Sequence, residues 1–253
     1  MTGLDEDLSP YEGLDTCVIS DAIDALGGPE SGFGRTLAGA SAAWAGARAL
    51  GWAVTMKLAR GPAPAGGVHL GVRAISLSRP GNVIVVDAGG LTGMGSWGGL
   101  LSTAASVRGV GGVLSSGSVR DIDEARELSF PVFCAGATSR TARGRCHEVS
   151  CGEPVSVDGF LIAAGDLIAA DGTGVLAVPR ARAHEVLGQA LELAQREARM
   201  RAALLGGADP VRVLGGGYED MLTAVPAEGT VPAEGTVPAE GTVPAEGDGK
   251  YDQ

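Results

Sequence analysis

Pro80-Gly81-Asn82-Val83-Ile84-Val85-Val86-Asp87-Ala88-Gly89-Gly90 decides the fold class of this chain. Pro-Gly-Asn turns the chain, and four β-branched residues follow in an unbroken run. The run is too short for a helix and apolar at every position, so it predicts a central strand buried on both faces. Its C-terminal end delivers Asp87 into a Gly-rich loop, Leu91 to Trp97.

Working outward, a helical stretch is expected from Gly98 to Arg108, a strand from Gly112 to Ser116, a helix through Leu128 and a strand over Pro131–Ala135. Upstream, Ala53–Leu58 reads as a strand and His69–Leu77 as a helix. Strands alternating with helices predict a parallel α/β sheet with right-handed crossovers, whose ligand loops gather at the strand C-termini. Asp15–Leu26 has apolar residues at helical spacing and stops at Gly27-Gly28-Pro29. From Val155 four short strands separated by turns predict an antiparallel addition, and Pro179 opens an amphipathic helix to about Leu205 that suits packing on a neighbouring subunit.

Composition narrows the function classes. The chain has 253 residues, 45% of them hydrophobic, enough for one large core, while aromatics at 4% leave that core to Ala, Val, Leu and Ile. The net charge of −11 argues against a nucleic-acid surface, which needs a basic stripe. No apolar run approaches membrane-spanning length and MTGLDEDLSP lacks a signal pattern, so a cytoplasmic protein with no membrane partner is expected. Cys17, Cys134, Cys146 and Cys151 form no C-x-x-C pair and read as reduced thiols; Cys146, His147 and Cys151 are a weak alternative metal set. From Val225 to Gly247 the unit Val-Pro-Ala-Glu-Gly-Thr repeats with period six, which reads as a disordered acidic tail.

Two stretches can carry chemistry. Gly117-Ser118-Val119-Arg120-Asp121-Ile122-Asp123-Glu124 places a guanidinium and a carboxylate where a strand ends. Arg offers a planar fork for a substrate carboxylate and Asp a hard oxygen for Mg²⁺ or Mn²⁺. Neighbours on extended backbone point to opposite faces, so a turn is required for both to serve one site; the bland alternative is that Asp121 caps the next helix and Arg120 makes a surface ion pair. In the second stretch, glycines ahead of a helix leave the amides of Gly98, Gly99, Leu100 and Leu101 approachable by an anion.

The ordered set of the Pro80–Gly90 stretch, Trp97-Gly98, Gly99 separated by twenty residues from Arg120-Asp121-x-x-Glu124, Phe130-Pro131-Val132-Phe133, Gly165-Asp166 and Asp171-Gly172-Thr173-Gly174-Val175 resembles the RraA-like family, from Asp15 to Leu205. That family includes 4-hydroxy-4-methyl-2-oxoglutarate / 4-carboxy-4-hydroxy-2-oxoadipate aldolases and the regulator of RNase E activity. The resemblance implies a layered β/β/α sandwich with a parallel βαβ core, an antiparallel addition and a long C-terminal helix. The implied domain runs from 15 to 205, after an N-terminal extension over 1–14 and before a C-terminal extension over 206–224 and the tail over 225–253. It further implies a lyase that cleaves 4-hydroxy-2-oxo acids to pyruvate with Mg²⁺ or Mn²⁺, decarboxylates oxaloacetate, and assembles as a homotrimer or hexamer. Asp121 is then the metal ligand, helped by Glu124 or, through water, by Glu197 of a neighbouring subunit. Arg120 neutralises the enolate oxygen, the Gly98–Leu101 amides hold the pyruvyl carboxylate, and a metal-bound water serves as base. Active members tend to carry an acid directly after Trp-Gly, where this chain has Gly99. That departure keeps open a non-catalytic binding protein, or a family member repurposed for another enolate reaction. His147 is expected in a Gly/Arg-rich loop bordering the site, and His184 on the solvated side of the terminal helix.

Overall fold

The computed structural model describes residues 7–215. A 3-10 turn at Ser9–Tyr11 leads into α1 (Thr16–Ala25), followed by two-residue strands β1 (Arg35–Thr36) and β2 (Ser41–Ala42) and the long strand β3 (Ala49–Arg60). Next come α2 (Val72–Leu77), β4 (Val83–Asp87), α3 (Gly99–Val107), β5 (Gly112–Val119), α4 (Ile122–Glu127) and β6 (Val132–Ala137). The remainder is β7 (Cys146–Cys151), the hairpin β8 (Val155–Val157) and β9 (Phe160–Ile162), then β10 (Leu167–Ala170), β11 (Val175–Val178), α5 (Ala183–Leu205) and α6 (Pro210–Val213). The period-six repeats and the rest of the tail lie outside the described residues.

Strands β3, β4, β5 and β6 are parallel, as the alternation predicts. The sheet order is β1-β11-β10-β3-β4-β5-β6-β2, with β7 also on β3. Strand β3 is long enough to serve two antiparallel partners on one edge: Ala49–Trp52 pair with β10 and Met56–Arg60 with β7. Every residue of β4 is buried. Ile84 and Val86 join a core beneath α1, α2, α3 and α5, while Val83 and Val85 join a second core closed by Val155, Val157 and Ile162 of the β8–β9 hairpin. The period of two on β4 thus feeds both layers of an α/β/β sandwich. The antiparallel addition divides accordingly: β10 and β11 extend the main sheet, and β8–β9 form the covering layer.

The C-terminal helix begins later than Pro179, because Arg180–Arg182 form a 3-10 turn before α5. His147 lies on strand β7 rather than in a loop. Cys146 and Cys151 sit five residues apart on that strand, about 15 Å, too far for a shared ion. Burial, then the nearby Glu148 charge, pushes the Cys151 thiol up to about 11.

The Asp171-Gly172-Thr173-Gly174 motif proves to be an anchor. Asp171 accepts from the Thr16 amide at 2.8 Å, the Thr16 hydroxyl at 2.7 Å and the Thr173 amide at 2.8 Å, tying α1 to the turn between β10 and β11. Burial raises its carboxyl, but the Thr16, Thr173 and Gly174 donors outweigh burial and hold it below the usual value. A carboxylate lowered on folding stabilises above its unfolded pKa and loses that contribution as pH falls through the folded one. Asp171→Asn is therefore expected to lower the thermal midpoint at pH 7, with the gap to wild type narrowing as acid is added below about pH 4.

Gly51 shows how tightly the strands meet. A Cβ there would collide with the Gly81 carbonyl oxygen and stand 3.0 Å from Val83 Cγ2. Backbone cannot swing aside, so Gly51→Ala is expected to cost about 3 kcal/mol, read as a lower urea midpoint at unchanged slope.

Candidate active site

The C-terminal end of β5 makes the site. Arg120 leaves the strand in ordinary geometry, but Asp121 takes φ 57°, ψ 40°, the left-handed region. Asp reaches that region more easily than most residues, and the reversal supplies the turn that adjacent residues need to serve one site. Asp121 stands at the N-cap position of α4, yet its side chain makes no capping bond. Instead Asp121 Oδ2 accepts from the Gly99 amide at 2.9 Å, and both carboxylate oxygens accept from Arg120 Nε at 3.1 and 3.0 Å. Helix capping is thus excluded as the role of Asp121, although its pairing with Arg120 is direct.

The loop before α3 brings the glycines there. The Ser96 amide donates to the Ser118 carbonyl and the Arg120 amide to the Trp97 carbonyl, so the loop runs beside the end of β5. Trp97 fixes it: the ring is buried, stacks on Phe130 at 6.4 Å between centroids, and donates from Nε1 to Ser102 Oγ at 3.1 Å. Side chains beyond this point would not fit. A Cβ on Gly95 would stand 2.9 Å from Arg120 Cγ, and one on Gly98 2.9 Å from Asp121 Oδ2. A Cβ on Gly99 would fall on the Glu124 carboxylate, whose Cδ lies 2.7 Å from that point.

One cavity of about 380 Å³ is lined by Gly98, Gly99, Leu100, Leu101, Arg120, Asp121 and Glu124, uniting the sequence-predicted residues of these two stretches. Within it the amides divide. Gly99 donates to Asp121 and Leu101 to the Gly98 carbonyl, so an anion has the Gly98 and Leu100 amides to meet. Glu197 is not in this lining. It lies on α5 near α1, where burial, then Asp21 and Asp15, hold its carboxyl above the usual range against the pull of Arg201. Among the described residues no group of three or more His, Cys, Asp or Glu converges to hold a metal ion.

His69, Thr141 and Arg143 also line the cavity, and sequence reasoning did not place them there. His69 arrives through the Gly61–Gly71 loop; Thr141 and Arg143 come from the loop between β6 and β7. Gly71, at φ 82°, directs the chain into α2 and donates its amide to Glu148 at 2.8 Å. A His two residues before the Gly that ends a Pro/Gly-rich loop is the only local signal. His184 is exposed on α5, and His147 borders a neighbouring hollow instead of this cavity.

The profile of the RraA-like family, described as Aldolase/RraA, matches residues 16–177. The chain belongs to the RraA-like family. It is 35% identical over 140 residues to a Halalkalibacterium halodurans protein that carries the provisional name 4-hydroxy-4-methyl-2-oxoglutarate aldolase, covering 54% of this chain and 66% of that protein. It is 33% identical over 126 residues to DlpA of Legionella pneumophila, which it spans for only 20% of that protein's length. Among solved structures, an uncharacterized protein from Pseudomonas syringae superposes with TM-score 0.71 at 30% identity, covering 81% of this chain and 95% of the other. Streptomyces coelicolor RraAS2, described as an unusual member of the RNase ES inhibitor RraA family, superposes with TM-score 0.65 at 25% identity, covering 78% and 97%. These RraA-like likenesses agree with the layered α/β architecture and its long C-terminal helix. No helix among the described residues is long and apolar enough to cross a membrane.

Proposed function

We propose that this chain is a divalent-metal-dependent lyase that cleaves 4-hydroxy-2-oxo acids to pyruvate, with oxaloacetate decarboxylation as a second activity. The observation that carries the reading is the left-handed Asp121, which turns its carboxylate and the Arg120 guanidinium into one cavity. The donor set fits a hard cation: Mg²⁺ uses one or two carboxylates and keeps several waters, and Asp121 with Glu124 offers that pair. A cation held there supplies Lewis acidity at the 2-oxo oxygen.

The residues then have separate tasks. In the retro-aldol step the 4-hydroxyl passes its proton to water, which can return it at C3, C4 becomes a carbonyl as the C3–C4 bond breaks, and the bonding pair moves into the C2–C3 enolate. Protonation at C3 gives pyruvate. Arg120 faces the oxygen on which negative charge grows, and its fixed fork strengthens there as the charge develops. The Gly98 and Leu100 amides receive the carboxylate at the positive end of α3. The buried Trp97 and Leu101 give the cavity an apolar wall, while Leu100 stands exposed at its mouth.

The assembly we infer is a homotrimer or hexamer in which Glu197 reaches a neighbour's site. Glu197 lies on the long C-terminal helix and outside the lining of its own chain's cavity, so the reading needs a second copy to bring it to a site. The soluble, cytoplasmic placement expected from the sequence belongs to the same proposal.

The test is pyruvate release from oxaloacetate and from 4-hydroxy-4-methyl-2-oxoglutarate, with Mg²⁺, with Mn²⁺ and with chelator. Metal-dependent release supports the reading; absence of release under every metal condition sinks it. Arg120→Lys keeps the charge but loses the planar fork, and is expected to lower kcat by about a hundredfold with a smaller change in KM. An unchanged kcat would remove Arg120 from the charge-stabilising role.

A further inference from the structure

Four arginines gather on one rim beside the cavity. Arg60 ends β3, whose ladder pairs it with Cys146, and the Gly61 amide donates to the Arg145 carbonyl at 2.9 Å, so Arg60 and Arg145 are neighbours across that ladder. The Arg145 and Cys146 amides both donate to the Ala142 carbonyl, which closes a tight turn that also carries Arg143. Arg140 joins from the other side, its carbonyl accepting the Gly95 amide at 2.8 Å. Gly95 and Arg143 both line the cavity that holds Arg120 and Asp121, so the rim borders its mouth.

The charges of this rim are unbalanced. All four arginines are exposed, and none has an acidic partner among the described residues. Of the four, Arg145 alone makes a side-chain hydrogen bond, from Nη1 to the Thr141 carbonyl. The acids nearby belong elsewhere: Glu148 is paired with Arg73 at 2.6 Å, Asp121 with Arg120 at 3.0 Å, and Glu124 lines the cavity. Like charges on one rim repel one another, and an anionic partner relieves that repulsion.

The sequence itself contains such a partner. Residues 216–253 hold eight acids with Lys250 as their only cation, whereas every arginine of the chain lies before them. The period-six unit presents one carboxylate per repeat, at Glu228, Glu234, Glu240 and Glu246. Chain length permits the contact: Glu228 lies thirteen residues past the described end, which at about 3.5 Å per residue reaches up to about 45 Å, roughly the width of a domain of this size. We propose that the rim of Arg60, Arg140, Arg143 and Arg145 is a docking surface for the chain's own acidic repeats. A single exposed ion pair is weak and screened by salt, but four equivalent carboxylates on one tether keep a high local concentration of partner at the rim. Charge and chain length carry this docking whether or not the cavity beside it is a lyase site.

The experiment titrates a synthetic peptide of residues 225–247 into the full chain at about 20 mM NaCl, followed by calorimetry. A full-length variant with Glu228, Glu234, Glu240 and Glu246 all replaced by Gln has no competing tail, and is expected to bind the peptide about tenfold more tightly than wild type, whose tethered repeats hold the rim at an effective concentration in the millimolar range. In the same background, Arg60→Gln with Arg140→Gln and Arg143→Gln is expected to weaken the peptide by about tenfold or more. Those three side chains make no hydrogen bond among the described residues, so the thermal midpoint should stay with the parent. Arg143→Gln alone is expected to give about a threefold loss, which keeps the test open should the triple variant prove unstable. Raising NaCl to about 300 mM, or replacing the peptide's glutamates by Gln, should abolish binding. Equal affinity in wild type and the tail-neutralised variant, no binding to that variant, or affinity that survives loss of the arginines overturns the docking.

Discussion

Asp121→Asn is expected to lower metal-dependent pyruvate release by about a thousandfold while leaving the fold intact. Asparagine is isosteric, tolerates the left-handed backbone, and can still accept the Gly99 amide bond that the wild-type carboxylate receives at 2.9 Å. What it loses is the negative charge that faces Arg120 and suits a hard cation. A thermal midpoint close to wild type with turnover lost would assign Asp121 to chemistry. A second variant makes the separation sharper. Asp121→Gly removes the carboxylate and also the strain of a Cβ at φ 57°, so its stability should hold or rise by about 1 kcal/mol even as activity disappears. Steady-state kinetics over a Mg²⁺ titration, paired with urea unfolding, reads both effects. Full activity in either variant would remove Asp121 from the reaction.

The left-handed Asp121 marks the limit of what the sequence could disclose. Val83–Val86 announced itself as a doubly buried strand because its residue types leave no polar face, and both layers of the sandwich use it. The βαβ alternation followed for the same reason, since helical and strand periods are written in apolar spacing. Strands β1 and β2 escaped notice because two residues carry no period, and β7 because Cys-His-Glu-Val-Ser-Cys alternates poorly and its ladder with β3 shifts register at Lys57/Leu58. Arg120 and Asp121 were legible as candidate residue types, but their convergence depends on one dihedral angle. His69 had only its place at the end of a Pro/Gly-rich loop to mark it, and Arg143 had no mark, both being distant in sequence from the motif and carried to the cleft by loops.

The exchange of Gly99 and Glu124 tests whether the acid expected after Trp97-Gly98 has been lost or relocated. The carboxylate of Glu124, reaching across from α4, occupies the point where a Cβ at 99 would stand, so an acid is present at that place although it comes from another helix. Gly99→Ala must push Glu124 aside, which a flexible side chain permits without unfolding the helix. Glu124→Ala removes the acid directly. Each is expected to weaken activation by Mg²⁺ by about ten- to a hundredfold, and the double Ala variant should be no worse than either alone, because both remove the same carboxylate. Gly99→Asp combined with Glu124→Ala supplies a carboxylate from α3 into the vacated volume and should recover activation to within about tenfold of wild type. The Mg²⁺ concentration giving half-maximal pyruvate release is the readout. Additive losses would mean that Gly99 and Glu124 act separately, and a silent Glu124→Ala would mean that the site relies on Asp121 and on a carboxylate from elsewhere, with Glu197 of a neighbouring subunit the next residue to replace.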